Sequence, residues 1–180
     1  MKNKRILALV LVLLVLFLAI GLILKLTVPK QFLIADLKMD DEYQVKGLEW
    51  GIGESATKLS WFKIMKPDAY GIQLPDNEEI YISAESCVLD GQKADVYFYF
   101  RDGSLYLICF TFPTVDTEAW FSQQLEAVRK EYGREAESKA SSSGITVYKW
   151  FAENTQLQLF SPPTAKSHPV MLIIGLVGNE

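Results

Sequence analysis

The chain has 180 residues, 49% apolar and 12% aromatic, and a formal net charge of −4; this excludes a low-complexity polymer and supplies enough side chains for one core. The charge is unevenly placed. Lys2, Lys4, Arg5, Lys25 and Lys30 are five of the eighteen basic residues, so residues 31–180 carry a net −9. An acidic domain repels phosphates, which argues against nucleic acid as a partner.

Residues 6–24 form an unbroken apolar run with no charge, Asn, Gln or Pro. As a helix it would be about 28 Å long, close to the bilayer's hydrocarbon thickness. The run predicts an N-terminal transmembrane helix of signal-anchor type and a single-pass protein. The domains expected from it are a cytoplasmic basic end at 1–5, the span at 6–24, a tether at 25–46 and an extracytoplasmic domain at 47–180. The basic residues before the run set that orientation. Ala19-Ile20-Gly21 also fits a small-x-small cleavage site, which would release a secreted domain. Leu22-Ile23-Leu24 keeps the chain apolar beyond it and favours the uncleaved anchor. On the anchor reading, the membrane is a partner through residues 6–24.

After Pro29 the tether is polar around Lys38–Gln44. Gly47, Gly51 and Gly53 with Trp50 predict an entry loop, followed by a short helix across 54–62. Ile80-Tyr81-Ile82-Ser83 and Cys87-Val88-Leu89 read as strand, and Asp90-Gly91 as a turn. Residues 95–100 and 105–112, joined by Asp102-Gly103, form the clearest hairpin, because Asp-Gly suits a two-residue turn with positive φ at both positions. A regular register sets Phe100 opposite Leu105, Phe98 opposite Leu107 and Val96 opposite Cys109. It gathers Tyr97, Tyr99, Tyr106 and Ile108 on the other face, where tyrosine tolerates half-burial.

A helix is predicted across 114–132: Phe121, Leu125, Val128 and Tyr132 make one buried stripe, and Gly133 stands at its end. Residues 134–144 read as a loop. Strands are expected at 145–152, 156–161 and 170–177. Leu157 and Leu159 alternate with Gln156 and Gln158, as in a strand with one wet face. The last strand is apolar nearly throughout and belongs inside the sheet. The fold class expected is therefore α+β: an antiparallel sheet of about six strands packed by one main amphipathic helix, with an αβββ-αβββ pseudo-repeat, behind an N-terminal transmembrane helix.

Gly47-Leu48-Glu49-Trp50-Gly51 before a short helix, the 97–112 hairpin, and Tyr132-Gly133 followed by Val147-Tyr148-Lys149-Trp150 carry a resemblance. They resemble small bacterial extracytoplasmic domains of unknown function. Their helix-plus-three-strand units are similar to the two-repeat fold of the β-lactamase-inhibitory protein and to the small lipoproteins of outer-membrane assembly. The likeness covers roughly residues 46–178. It departs from the lipoproteins in lacking their lipid-bearing Cys, and residues 54–59 lack their Ser-x-x-x-Val pattern. The resemblance implies a binding or scaffolding domain and assigns no functional residue.

Recognisable catalytic chemistry is sparse. His168, the sole histidine, lies in a Pro-rich connection, and no Gly-x-Ser-x-Gly elbow accompanies it. The glycines fit no phosphate-binding spacing. The acidic clusters at 40–42 and 76–79 do not match a calcium loop. Cys87 and Cys109 match no metal motif; an oxidising compartment would permit a disulfide, and two separate core thiols fit as well. No catalytic residue, metal ligand or cofactor is expected. Trp120, beside the helix stripe, and Tyr97, Tyr99 and Tyr106 are the candidate contact residues. The function expected is a membrane-anchored extracytoplasmic domain of bacterial type that binds protein or cell-envelope material without catalysis. A cell-envelope hydrolase with carboxylates converging from distant strands, or a small-molecule sensor using the tyrosine face, are the alternatives.

Overall fold

The computed structural model describes residues 10–21, 31–61, 80–112, 117–142, 144–161 and 170–177. Residues 10–21 form helix α1, whose apolar side chains from Val10 to Ile20 are exposed. Among the described residues no helix is long and apolar enough to cross a membrane. The expectation of a transmembrane, single-pass signal anchor at 6–24 is corrected accordingly; positions 6–9 and 22–24 of that run lie outside the described residues.

The other described elements are β1 (Gln31–Phe32), β2 (Lys38–Met39), β3 (Glu42–Tyr43), α2 (Glu54–Trp61), β4 (Ile80–Leu89), β5 (Gln92–Arg101), β6 (Ser104–Phe112), α3 (Thr117–Tyr132), β7 (Glu137–Ala140), β8 (Thr146–Phe151), β9 (Thr155–Phe160) and β10 (Val170–Leu176). A 3₁₀ turn at Ile34–Leu37 follows β1. Eight strands make one sheet in the order β1-β4-β5-β6-β10-β9-β8-β7, and β2 and β3 form a separate ribbon. β1 runs parallel to β4 while the sheet's other pairings are antiparallel, so the sheet is mixed. The expected antiparallel sheet of about six strands is corrected in both number and sense. β1 is only two residues long, and β7 is exposed at all four positions, so neither carries the apolar alternation that marks a strand in sequence.

The β5–β6 turn has the conformation that its residues dictate: Asp102 has φ 50° and Gly103 φ 74°. Phe100 faces Leu105 as expected, but the next pair is Tyr99 with Leu107, leaving Tyr106 as an extra residue. That bulge shifts the rest of the register by one, so Phe98 faces Ile108 and Val96 faces Phe110. Ile108 thereby leaves the tyrosine face for the main core. Gly175 on β10 accommodates the bulge: a Cβ there would stand 3.3 Å from the Tyr106 carbonyl oxygen and against the Leu107 side chain.

The main core lies between the sheet and α3. Registers align Tyr148, Leu159, Leu172, Phe110 and Val96 in one row across the sheet, and Trp150, Leu157, Ile174, Ile108 and Phe98 in the next. Helix α3 covers them with Trp120, Phe121, Leu125 and Val128. The Trp120 ring packs 4.2 Å, centroid to centroid, from Phe112. Gly133 ends the helix, and its carbonyl accepts the Trp150 indole N–H at 2.9 Å, tying the helix end to β8.

Residues 31–46, expected as part of a tether, contribute Phe32, Ile34, Leu37, Tyr43 and Val45 to this core. The Tyr132 hydroxyl donates to the Ile34 carbonyl, and the Tyr43 amide donates to Thr155 Oγ1 at 2.7 Å. Trp50, from the glycine-rich entry loop, donates its indole N–H to the Tyr43 carbonyl at 3.0 Å. Cys87 belongs to this core, whereas Cys109 lies in the cluster on the opposite sheet face, with β5 between their strands. Both are free thiols.

Candidate functional site

Period-two alternation sends every second strand residue to the face away from α3. One row there runs Lys139, Val147, Phe160, Met171, Thr111 and Asp95 across six strands. The next runs Glu137, Lys149, Gln158, Ile173, Cys109 and Tyr97. A third runs Phe151, Gln156, Gly175, Leu107 and Tyr99.

This second face has two unlike halves. At β5 and β6 it is closed, with Tyr99 1% exposed, Tyr106 7% and Cys109 0%. Tyr97, Leu107, Met171 and Ile173 pack around that cluster while remaining half-buried. Burial pushes the Cys109 thiol up to about 12, because a thiolate there would lose its solvation. The Arg101 guanidinium lies 4.5 Å from the Tyr106 ring centre, a cation held against an aromatic face. Toward β8 and β9 the face opens. Val147, Lys149, Gln156, Gln158 and Phe160 are half-buried, and Phe151 is 42% exposed. The result is a platform of aromatic and aliphatic side chains interleaved with two amides and a lysine.

Of the residues expected to make contacts, Tyr97, Tyr99 and Tyr106 do share this face, and only Tyr97 keeps appreciable exposure. Trp120 lies on the other side of the sheet, 6% exposed, with a buried indole N–H that has no hydrogen-bond partner. Sequence reasoning passed over Phe160, Met171 and Ile173 as contact residues. The signal was the Gln156–Phe160 alternation, which marks a wet face without saying that apolar side chains share it. His168 and the 76–79 cluster lie outside the described residues.

A polar constellation at Glu42 closes the N-terminal segment onto the sheet. Glu42 Oε1 accepts the Asn154 backbone amide at 3.1 Å and the Asn154 side-chain amide at 2.7 Å. Burial opposes the charge, but hydrogen bonding from Thr155 and Asn154 outweighs it and holds the Glu42 carboxyl below its ordinary range. At the C-terminal end of α3 Arg129 grips Glu135 with two bonds, at 2.8 and 2.6 Å. Those bonds, working against partial desolvation, bring the Glu135 carboxyl down to about 2. Burial, aided by the Glu131 charge, raises the Tyr132 phenol. Each of these groups is engaged in holding the fold. Among the described residues no group of three or more His, Cys, Asp or Glu side chains comes together to hold a metal.

No protein-family model matches the chain, and no curated protein matches it. In structure it is similar to a DUF4309 family protein (YjgB) from Bacillus subtilis, at 12% sequence identity and a TM-score of 0.47, over 76% of this chain and 88% of that one. The likeness found is thus to a small bacterial domain of unknown function. The particular families that the sequence motifs resemble find no support in this comparison.

Proposed function

We propose that this chain is a non-enzymatic binding domain that docks a protein or cell-envelope material on the β8–β9–β10 half of its second sheet face. The observation that carries the reading is the half-buried patch of Phe160, Met171 and Ile173 on adjacent rows beside Gln156, Gln158 and Lys149. Binding surfaces combine an apolar centre with polar groups that fix orientation, and aromatic and Met side chains are enriched in them. The other sheet face is occupied by α3, so the platform is held rigid and little ordering entropy is lost on binding. The basic, apolar N-terminal stretch supports an extracytoplasmic place for the domain, secreted after cleavage near Gly21.

The test is proximity labelling from wild type and from a Met171→Gln, Ile173→Thr variant in the same host. The reading expects partners labelled by wild type to be lost in the variant while its melting temperature stays within a few degrees. An unchanged set of labelled partners would count against it.

A further inference from the structure

β7 ends the sheet. It pairs with β8 through Glu137↔Lys149, Ser138↔Tyr148, Lys139↔Val147 and Ala140↔Thr146, and all four of its residues are exposed. The hairpin closes with the Ser141 amide donating to the Ile145 carbonyl at 2.8 Å. Antiparallel bonding alternates along a strand, so from that bond inward Lys139 and Glu137 turn their backbone groups toward β8. Ser138 and Ala140 therefore turn theirs outward, which leaves a short ladder ready for another strand.

The registers available to a second copy across a two-fold axis can be enumerated. Ser138 opposite Ala140 of the copy uses both outward residues on each side and makes the fullest ladder. It also sets Lys139 directly against Lys139 in a non-hydrogen-bonded pair, where side chains approach most closely and like charges destabilise. Ser138 opposite Ser138 would pair Glu137 with Lys139, but Ala140 would then face Ala136, whose amide is already given to the Lys149 carbonyl. Ala140 opposite Ala140 would need residue 142, beyond the end of β7 at Ala140. Both remaining registers keep one bonded pair only.

We propose that the β7 edge docks an extended protein segment that sets a carboxylate opposite Lys139, and that Lys139 closes the same edge to a second copy of this chain. The selectivity is a charge rule. The backbone ladder is open to any strand, and Lys139, exposed on the same face as Val147, decides which one completes it. This edge is separate from the platform at β8–β10.

The test uses Lys139→Glu as the probe that supplies the carboxylate. Full-length wild type and Lys139→Glu, labelled with donor and acceptor dyes, are measured singly and as an equal mixture. Each alone faces like charge with like; the mixture faces Lys139 with Glu. Energy transfer in the mixture is expected to exceed the mean of the two single preparations several-fold. It should fall back when Ser138→Pro, which removes one outward amide and leaves the β8 ladder intact, is added to either partner. A mixture equal to the mean of its parts overturns the proposal. So does wild type that associates with itself through an edge that Ser138→Pro disables.

Discussion

The two faces of the central sheet are built from alternate residues of the same strands, yet they have come to opposite uses. Leu172 and Ile174 of β10 are 2% and 0% exposed under α3, while Met171 and Ile173, their chain neighbours, stay half-buried on the other side. On β9, Leu157 and Leu159 are 0% and 1% exposed, and Gln156, Gln158 and Phe160 face outward. Strand composition alone does not separate folding from binding here, because both faces hold aromatics and aliphatics. Among the described residues, what separates them is the α3 layer, which covers one face and has no described counterpart over the β8–β9 part of the other. Half-buried apolar side chains such as Phe160, Met171 and Ile173 are where a partner gains most from displacing water.

The largest effect that sharpens this contrast concerns Cys109, at the closed end of the second face. With its thiol pushed up to about 12, the thiolate fraction at pH 8 is on the order of a thousandfold below that of an ordinary cysteine. Iodoacetamide labelling followed by mass spectrometry should find Cys109 unmodified in the native protein and modified in urea. Ready native labelling would mean that the closed half is open. Next, Leu172→Ala should cost about 2–5 kcal/mol in urea unfolding, the range for emptying a packed leucine site. Ile173→Thr, one residue away, should cost only about 1 kcal/mol or less. Equal costs would erase the distinction between the faces.

Smaller effects should come from the polar contacts that hold the covering layers. Arg129→Ala should lower stability by about 1 kcal/mol or less, since the arginine is 39% exposed and solvent screens the pair. It should also return the Glu135 carboxyl from about 2 toward the ordinary carboxylate range in an NMR titration. The folded-state pKa is depressed, so the pair stabilises fully above the unfolded value, about 4.3, and that contribution is lost as pH falls toward 2. Glu42, also lowered, follows the same sign. Glu42→Gln should leave amide exchange in residues 31–48 less sensitive to acid than in wild type.

How much of this contrast the sequence showed depends on what each element had to say locally. The α3 stripe at Phe121, Leu125 and Val128 was legible because helical periodicity and burial coincide there. The β5–β6 hairpin was legible because Asp102-Gly103 specifies its turn. The Tyr106 bulge was not, since an extra residue in a ladder leaves no mark in composition; it moved Ile108 to the α3 side and brought Leu107 and Cys109 in with the tyrosines. β7 was hidden by its polar, exposed residues and β1 by its length. The packing of residues 31–46 was hidden because those side chains are fixed by distant partners such as Thr155 and Tyr132. The platform was half legible: the glutamine alternation showed the wet strand, but only the registers place Phe160, Met171 and Ile173 side by side.

The most direct test of the platform is site-specific photocrosslinking in the native host, with the crosslinking amino acid at Phe160 on the second face or at Gln123 on the exposed side of α3. The account predicts a discrete adduct from position 160 and none from position 123. An adduct from 123 with none from 160 would place the binding surface on the helix layer and contradict it.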